Sequence, residues 1–212
     1  MGLFFTKKPF HKLKTKEEFL NWFSKSKHWG SLDFKIINAI IDKFIDDLPA
    51  FDIFVYISEN CDLVKNNFLP LSKDKYIDIS YVFSLFSTTL YNVGSKYRDE
   101  LIKENESDSA SVKEKARLLE FSQYAYESAI KLDKYQIPTY FSLGTIWGGI
   151  LYKYDEGIEY CKQGINKIKE LKMQPQDKLN YFQKASIQNI SEMEESLNLL
   201  IKQFENNSNN YS

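Results

Sequence analysis

The stretch Ser122–Ile165 reads SQYAYESAIKLDKYQIPTYFSLGTIWGGILYKYDEGIEYCKQGI, and its periodicity decides the fold. Tyr126, Ala129, Ile130 and Asp133 return at intervals of three and four, the spacing of one helix face, with a small residue at Ala129 where another helix can approach closely. Ile137-Pro138 then interrupts the pattern, because the residue before a proline is pushed out of the α region while proline itself is accommodated in a helix's first turn. A second helix is therefore predicted from about Pro138, carrying Phe141, Leu143, Gly144 and Trp147, with Gly144 leaving room for a neighbouring backbone. Gly148-Gly149 to Lys153 predicts a turn. A third helix follows from about Tyr154 to Lys172, with Gly157, Cys161 and Gly164 along it.

Upstream, Val93-Gly94-x-x-Tyr97 echoes Leu143-Gly144-x-x-Trp147. It sits on a periodic segment that places Val82, Leu85, Phe86, Leu90, Val93, Tyr97 and Leu101 on one helix face. Lys103 to Ser109 is a polar loop, and Ser111 with Glu114 predicts a capping box that starts the next helix. Tyr126-Glu127-Ser128-Ala129-Ile130-Lys131-Leu132-Asp133 followed by Leu143-Gly144-x-x-Trp147 resembles the tetratricopeptide repeat (TPR), a helical hairpin with a period of about 34 residues. Gly157, Cys161 and Gly164 stand where that repeat has Ala, an aromatic and Ala, so the match, over about residues 82–172, is degenerate. Ala129 to Gly164 spans 35 positions, one more than the period, which places an insertion in the Gly148 to Tyr154 turn. Gly94 to Gly144 spans 50, with the excess in the polar loop. The alternative is that both glycines are close-packing points of an unrelated helical bundle.

The resemblance implies a scaffold that binds other proteins through a groove lined by the first helix of each hairpin. Alignment on Gly94 and Gly144 puts Tyr91, Asn92, Ser95 and Arg98 on that face in one hairpin, and Phe141, Ser142 and Thr145 in the other. The family's best-known ligand mode clamps a peptide's C-terminal carboxylate with Lys, Asn and Arg. This chain supplies only Asn92 and Arg98, so a mixed aromatic and polar groove for an extended or helical peptide is the expectation. Tyr91 and Phe141 read equally well as core residues.

Between Thr15 and Phe68 three further helices are expected. Thr15 and Glu18 form a capping box ahead of Phe19, Trp22 and Phe23, and Ile37, Ile40, Ile41, Phe44, Ile45 and Leu48 make an apolar stripe closed by Pro49. Phe51, Phe54, Val55, Ile57, Cys61 and Val64 suit a third helix, although Phe51 to Ile57 could be a strand by residue type. A long helix from about Pro175 to Phe204 ends the fold, and the Asn- and Ser-rich residues after it are expected to be disordered. The resulting organisation is all-α: a basic arm (1–14), an N-terminal helical cluster (15–68), an irregular array of TPR-like hairpins (72–172), a closing helix (175–204) and a tail (205–212), or one continuous domain. Ile190, Met193, Leu197, Leu200 and Phe204 on the closing helix could instead pair with another chain, making a homodimer the first rival reading.

The composition of the 212 residues narrows the function. A 43% hydrophobic content with fourteen Tyr and sixteen Phe fills a core, and only eight Gly and five Pro favour long helices over many short strands. A net charge of -1 argues against nucleic acid as a partner, since tracking phosphates needs a basic surface. Cys61 and Cys161 have no metal-ligand or redox-pair spacing and fit a reduced, cytoplasmic setting. No apolar run approaches the length of a membrane span. Gly2 and Thr6 match a myristoylation pattern ahead of Lys7, Lys8, Lys12, Lys14 and Lys16, but a solvated basic arm explains the same residues. His11 and His28 belong to no metal motif, and neither a nucleophile elbow nor a phosphate loop is present. Asp46-Asp47, Asp155-Glu156 and Glu194-Glu195 read as solvated faces. The reading is thus a non-enzymatic interaction module, without cofactor or metal, whose ligand is a protein or peptide. An enzyme assembled from residues distant in sequence is the second rival.

Overall fold

A computed structural model describes residues 79–105 and 112–210. The chain divides between Ile77 and Asp78 into two units, and the second holds all the described residues. The basic arm, the helices expected between Thr15 and Phe68, Cys61, both histidines and the Ser111 cap lie outside them. The regular elements of the described residues are all helical, with no strand among them: α1 (Ile79–Asn105), α2 (Val112–Leu132), α3 (Ile137–Gly144), α4 (Tyr154–Lys172), α5 (Tyr181–Gln188) and α6 (Ile190–Asn210). None of these helices is long and apolar enough to cross a membrane.

α1 pairs with α2 and α3 with α4 as antiparallel hairpins, while α6 packs on α4. In the first, Phe83, Phe86, Leu90, Val93 and Leu101 of α1 are buried, as the periodicity of that segment requires. Its cross-contacts run in opposite numerical order. Ser84 donates to Asp133 near one end, Ser87 Oγ donates to the Ala129 carbonyl at 2.7 Å, and the Gly94 carbonyl accepts from Ser122 Oγ at 3.0 Å. Gly94 is the point of closest approach. A Cβ there would lie 2.9 Å from the Tyr126 ring, so only glycine lets α1 settle on that buried aromatic.

The second hairpin packs backbone on backbone. Pro138 sits in the first turn of α3, as the Ile137-Pro138 break predicts. Gly144, Gly157 and Gly164 are all buried, and a Cβ on Gly157 would come within 2.8 Å of the Gly148 backbone. Lys153 precedes the start of α4, and Asp155 and Glu156 occupy its first turn, where carboxylates oppose the positive end of the helix dipole.

α1 runs on through Asn105, so the first residues of the polar loop expected from Lys103 are helical, and three larger features differ from the sequence expectations. Gly148 and Gly149 are not in the turn; they belong to a π-helical turn, Thr145–Ile150, that prolongs α3. The left-handed backbone residue that reverses the chain is Tyr152, at φ 55°, because Gly148 is taken up by packing against Phe204 and Gly157. The closing helix, expected from Pro175 to Phe204, is two helices. A 3-10 turn at Gln176–Lys178 leads to Asn180, whose side chain accepts from the Gln183 backbone while the Gln183 side chain accepts from the Asn180 backbone; this capping box restarts the helix, and a break at Asn189 then separates α5 from α6. Finally, the tail expected to be disordered from Glu205 is helical through Asn210, held by Phe204 in the core one turn before.

The core of the second half is shared by α4 and α6. Ile158, Cys161, Ile168 and Leu171 pack with Ile190, Leu197 and Phe204, with Met193 and Leu200 partly buried against them. The apolar seam that could mate with another chain therefore lies against α4 of its own chain. Burying that seam stabilises by roughly 1.5–3 kcal/mol for each fully covered large side chain.

Candidate functional site

On α1, Thr88, Tyr91, Ser95 and Arg98 follow one another at intervals of three and four and share one face. α3 lies beside it. Arg98 Nη1 donates to Ser142 Oγ at 3.1 Å, which joins the first helices of the two hairpins directly. Behind this contact stands Tyr126 of α2, fully buried, its hydroxyl 3.0 Å from Ser95 Oγ and its ring 5.8 Å from that of Tyr91. Burial raises the Tyr126 phenol above its ordinary pKa, while hydrogen bonds from Ser142 and Ser95 and the Arg98 charge work against the rise. Burial also opposes the Arg98 charge, but Tyr126 and Asp99 outweigh it and its pKa is raised. The outer edge of the guanidinium meets Asp99 Oδ1 at 2.9 Å, an exposed pair that contributes little to stability.

Of the seven residues expected on the groove, the structure thus brings Tyr91, Ser95, Arg98 and Ser142 together around Tyr126. Asn92 is exposed beside them on α1. Thr145 Oγ1 donates to the carbonyl of Phe141 within its own helix. Phe141 turns away from this group and packs, partly buried, against the core formed by α4 and α6. Ser142 is itself nearly inaccessible, so it fixes Arg98 and leaves the guanidinium and Asn92 as the polar groups open to a partner. Tyr126, the hub, was legible in the sequence only as a core position.

One turn before Tyr91 on the same stripe, Thr88 borders an apolar cleft of about 310 Å³. Pro138 of α3, Phe182 and Ala185 of α5, and Ile190 and Met193 of α6 form its walls, and none of the described residues that line it is charged. Sequence reasoning missed this cleft because it depends on the break at Asn189, which swings α5 across the start of α3.

Reactive chemistry is sparse among the described residues. No group of three His, Cys, Asp or Glu side chains is placed to hold a metal ion there. Asp133 is buried, bonded to Ser84 and to the Tyr135 backbone, while Asn180 Nδ2 donates to Ser84 Oγ at 2.9 Å, so this carboxylate ties α1, α2 and α5 together. Asp155 and Glu156 are exposed, and Glu194 accepts from Lys172 Nζ at 2.6 Å. Cys161 is fully buried, and burial pushes its thiol up to about 12. It should therefore resist iodoacetamide at pH 8 in the folded protein and react only on unfolding, which mass spectrometry of the labelled peptide would read. The sign for stability follows. Above pH 9.0, the ordinary value, the unfolded thiol ionises while the folded one stays protonated, so stability falls as pH rises from there towards about 12.

Comparison with known protein families, curated proteins and solved structures returned no match.

Proposed function

We propose that this chain is a non-enzymatic protein-interaction scaffold, an irregular TPR-like array that presents a helical groove to a peptide or partner protein in the cytoplasm. The observation that carries the reading is the Arg98–Ser142 contact between the first helices of two successive hairpins, with Tyr91 and Asn92 alongside and an apolar cleft at the end of the same stripe. The antiparallel hairpins α1–α2 and α3–α4 follow in order, α6 packs on α4, and the small residues Gly94, Ala129, Gly144, Gly157 and Gly164 are all buried where helices meet. The one-residue excess over the repeat period has a natural home in the π-helical turn, which takes one more residue per hydrogen-bonded ring than an α-helix.

The test is site-directed photocrosslinking in the native host. A crosslinker at Asn92 is expected to capture a partner protein, and the same group at Asn166, exposed on α4, is not. Arg98→Ala should cut the Asn92 adduct by about tenfold, the scale of losing an Arg anchor at an interface. Equal yields from both positions, or adducts only with further copies of this chain, would overturn the reading; the second outcome would favour the homodimer.

A further inference from the structure

We propose that α5 and the segment leading into it form an autoinhibitory strap: latched by Asn180 onto Ser80 and Ser84, it covers the first turns of the α1 stripe that continues through Tyr91 and Ser95 to Arg98, and its release lengthens the groove open to a partner. The proposal deepens the interaction-scaffold reading and rests on it.

Ser80, Ser84, Thr88, Tyr91, Ser95 and Arg98 recur at intervals of three and four and so share one face of α1. α5 packs on the start of that face. Asn180 Nδ2 donates to Ser80 Oγ at 2.7 Å and to Ser84 Oγ at 2.9 Å, and Phe182, Ala185 and Ser186 border the same cleft as Thr88. A partner lying along the stripe therefore meets α5 one turn before Tyr91.

The strap is lightly held. Inside α5 the single buried residue is Gln183, while Phe182 and Ile187 are partly buried. Leu179 is the one buried apolar side chain between residues 173 and 189, and residues 172–178 are exposed throughout. Asn180 does two things at once: its Nδ2 makes the latch, and its Oδ1 accepts from the Gln183 backbone at 3.0 Å to cap the helix. Docking and helix formation are thus coupled, because the eight residues of α5 are too few to hold a helix in water alone.

The rest of the unit keeps its own supports when the strap leaves. Ile168 and Leu171 of α4 pack with Leu197 and Phe204 of α6, and Lys172 Nζ meets Glu194 Oε2 at 2.6 Å, which pins α4 to α6 beyond both ends of the strap. Asp133 retains Ser84 and the Tyr135 backbone amide as donors. A segment with few buried apolar contacts between two well-anchored helices opens locally, ahead of global unfolding.

Hydrogen exchange of the full chain, read by mass spectrometry, tests the release, and photocrosslinking from Asn92 in the native host tests its consequence. Amides of α5 are expected to exchange at least about tenfold faster than those of α2 and α4. Asn180→Asp is the release variant: it keeps the oxygen that caps α5, removes both latch donors and sets a second carboxylate on Ser84 beside that of Asp133. It should speed α5 exchange by about tenfold, and Ser80→Ala, which removes one acceptor of the latch, by about threefold, with α2 and α4 unchanged. Partner adducts at Asn92 should rise by about the same factors, since apparent affinity follows the open fraction. Protection of α5 equal to that of α4, faster exchange in every helix, or partner adducts that form but ignore Asn180→Asp would each overturn the strap while leaving the scaffold reading in place. Absence of partner adducts from every form, by contrast, overturns the scaffold reading and the strap's inhibitory role with it.

Discussion

Replacing Phe204 with Ala is expected to lower the stability of the Asp78–Ser212 unit by about 3–5 kcal/mol, the cost of deleting a buried aromatic ring. Phe204 stands less than two turns from the end of α6, where truncation would ordinarily be harmless. Its ring, however, is 1% exposed, lies over Gly148 where a Cβ would come within 2.5 Å, and packs on Tyr154 with centroids 6.2 Å apart. It closes the end of the α3–α4 hairpin. Urea unfolding of the full chain would measure the change. A loss below about 1 kcal/mol, the level of an ordinary surface change, would mean that the last turns of α6 do not hold the core.

Gly157→Ala should destabilise the same unit by about 2 kcal/mol or more, although helix propensity taken alone favours alanine by about 1 kcal/mol. The methyl would lie 2.8 Å from both the Cα and the N of Gly148 and 3.1 Å from the Gly144 carbonyl oxygen. Backbone atoms cannot rotate aside, so the two helices must separate. Gly149→Ala is the matching control. That position is exposed, has no positive φ and would place its Cβ 3.7 Å from Thr145, so alanine there should be neutral or stabilising by up to about 1 kcal/mol. Thermal unfolding of the two variants side by side gives the answer. A more stable Gly157→Ala would show that the close packing of α3 on α4 is not what the glycine is for.

Legibility followed the range of the forces involved. The breaks at Ile137-Pro138 and the start of α4 at Tyr154 were readable because proline and helical spacing act over a few residues. So was the inward position of Gly94, Ala129 and Gly144, since a small residue on an apolar face has few other uses. The closing helix was misread as continuous because Asn180 and Asn189, which punctuate it, also occur in helices; only the Asn180–Gln183 box and the contact of Asn180 with Ser80 at 2.7 Å make the first of them a start. Among the groove residues, alignment on Gly94 and Gly144 under the repeat resemblance put Arg98 and Ser142 on one face but could not tell that Phe141 turns to the other side, towards α4 and α6.

By itself, the sequence determined that this region is helical, that the chain breaks at Ile137-Pro138 and which small residues face inward, because those outcomes rest on local geometry and on apolar periodicity. Tertiary structure alone decided that the α6 seam packs against α4 of its own chain, that Tyr126 gathers Ser95, Arg98 and Ser142, and that α5 leaves a cleft against α3. Each of these depends on which of several compatible faces finds a partner, and that is settled by the summed burial of residues far apart in the chain.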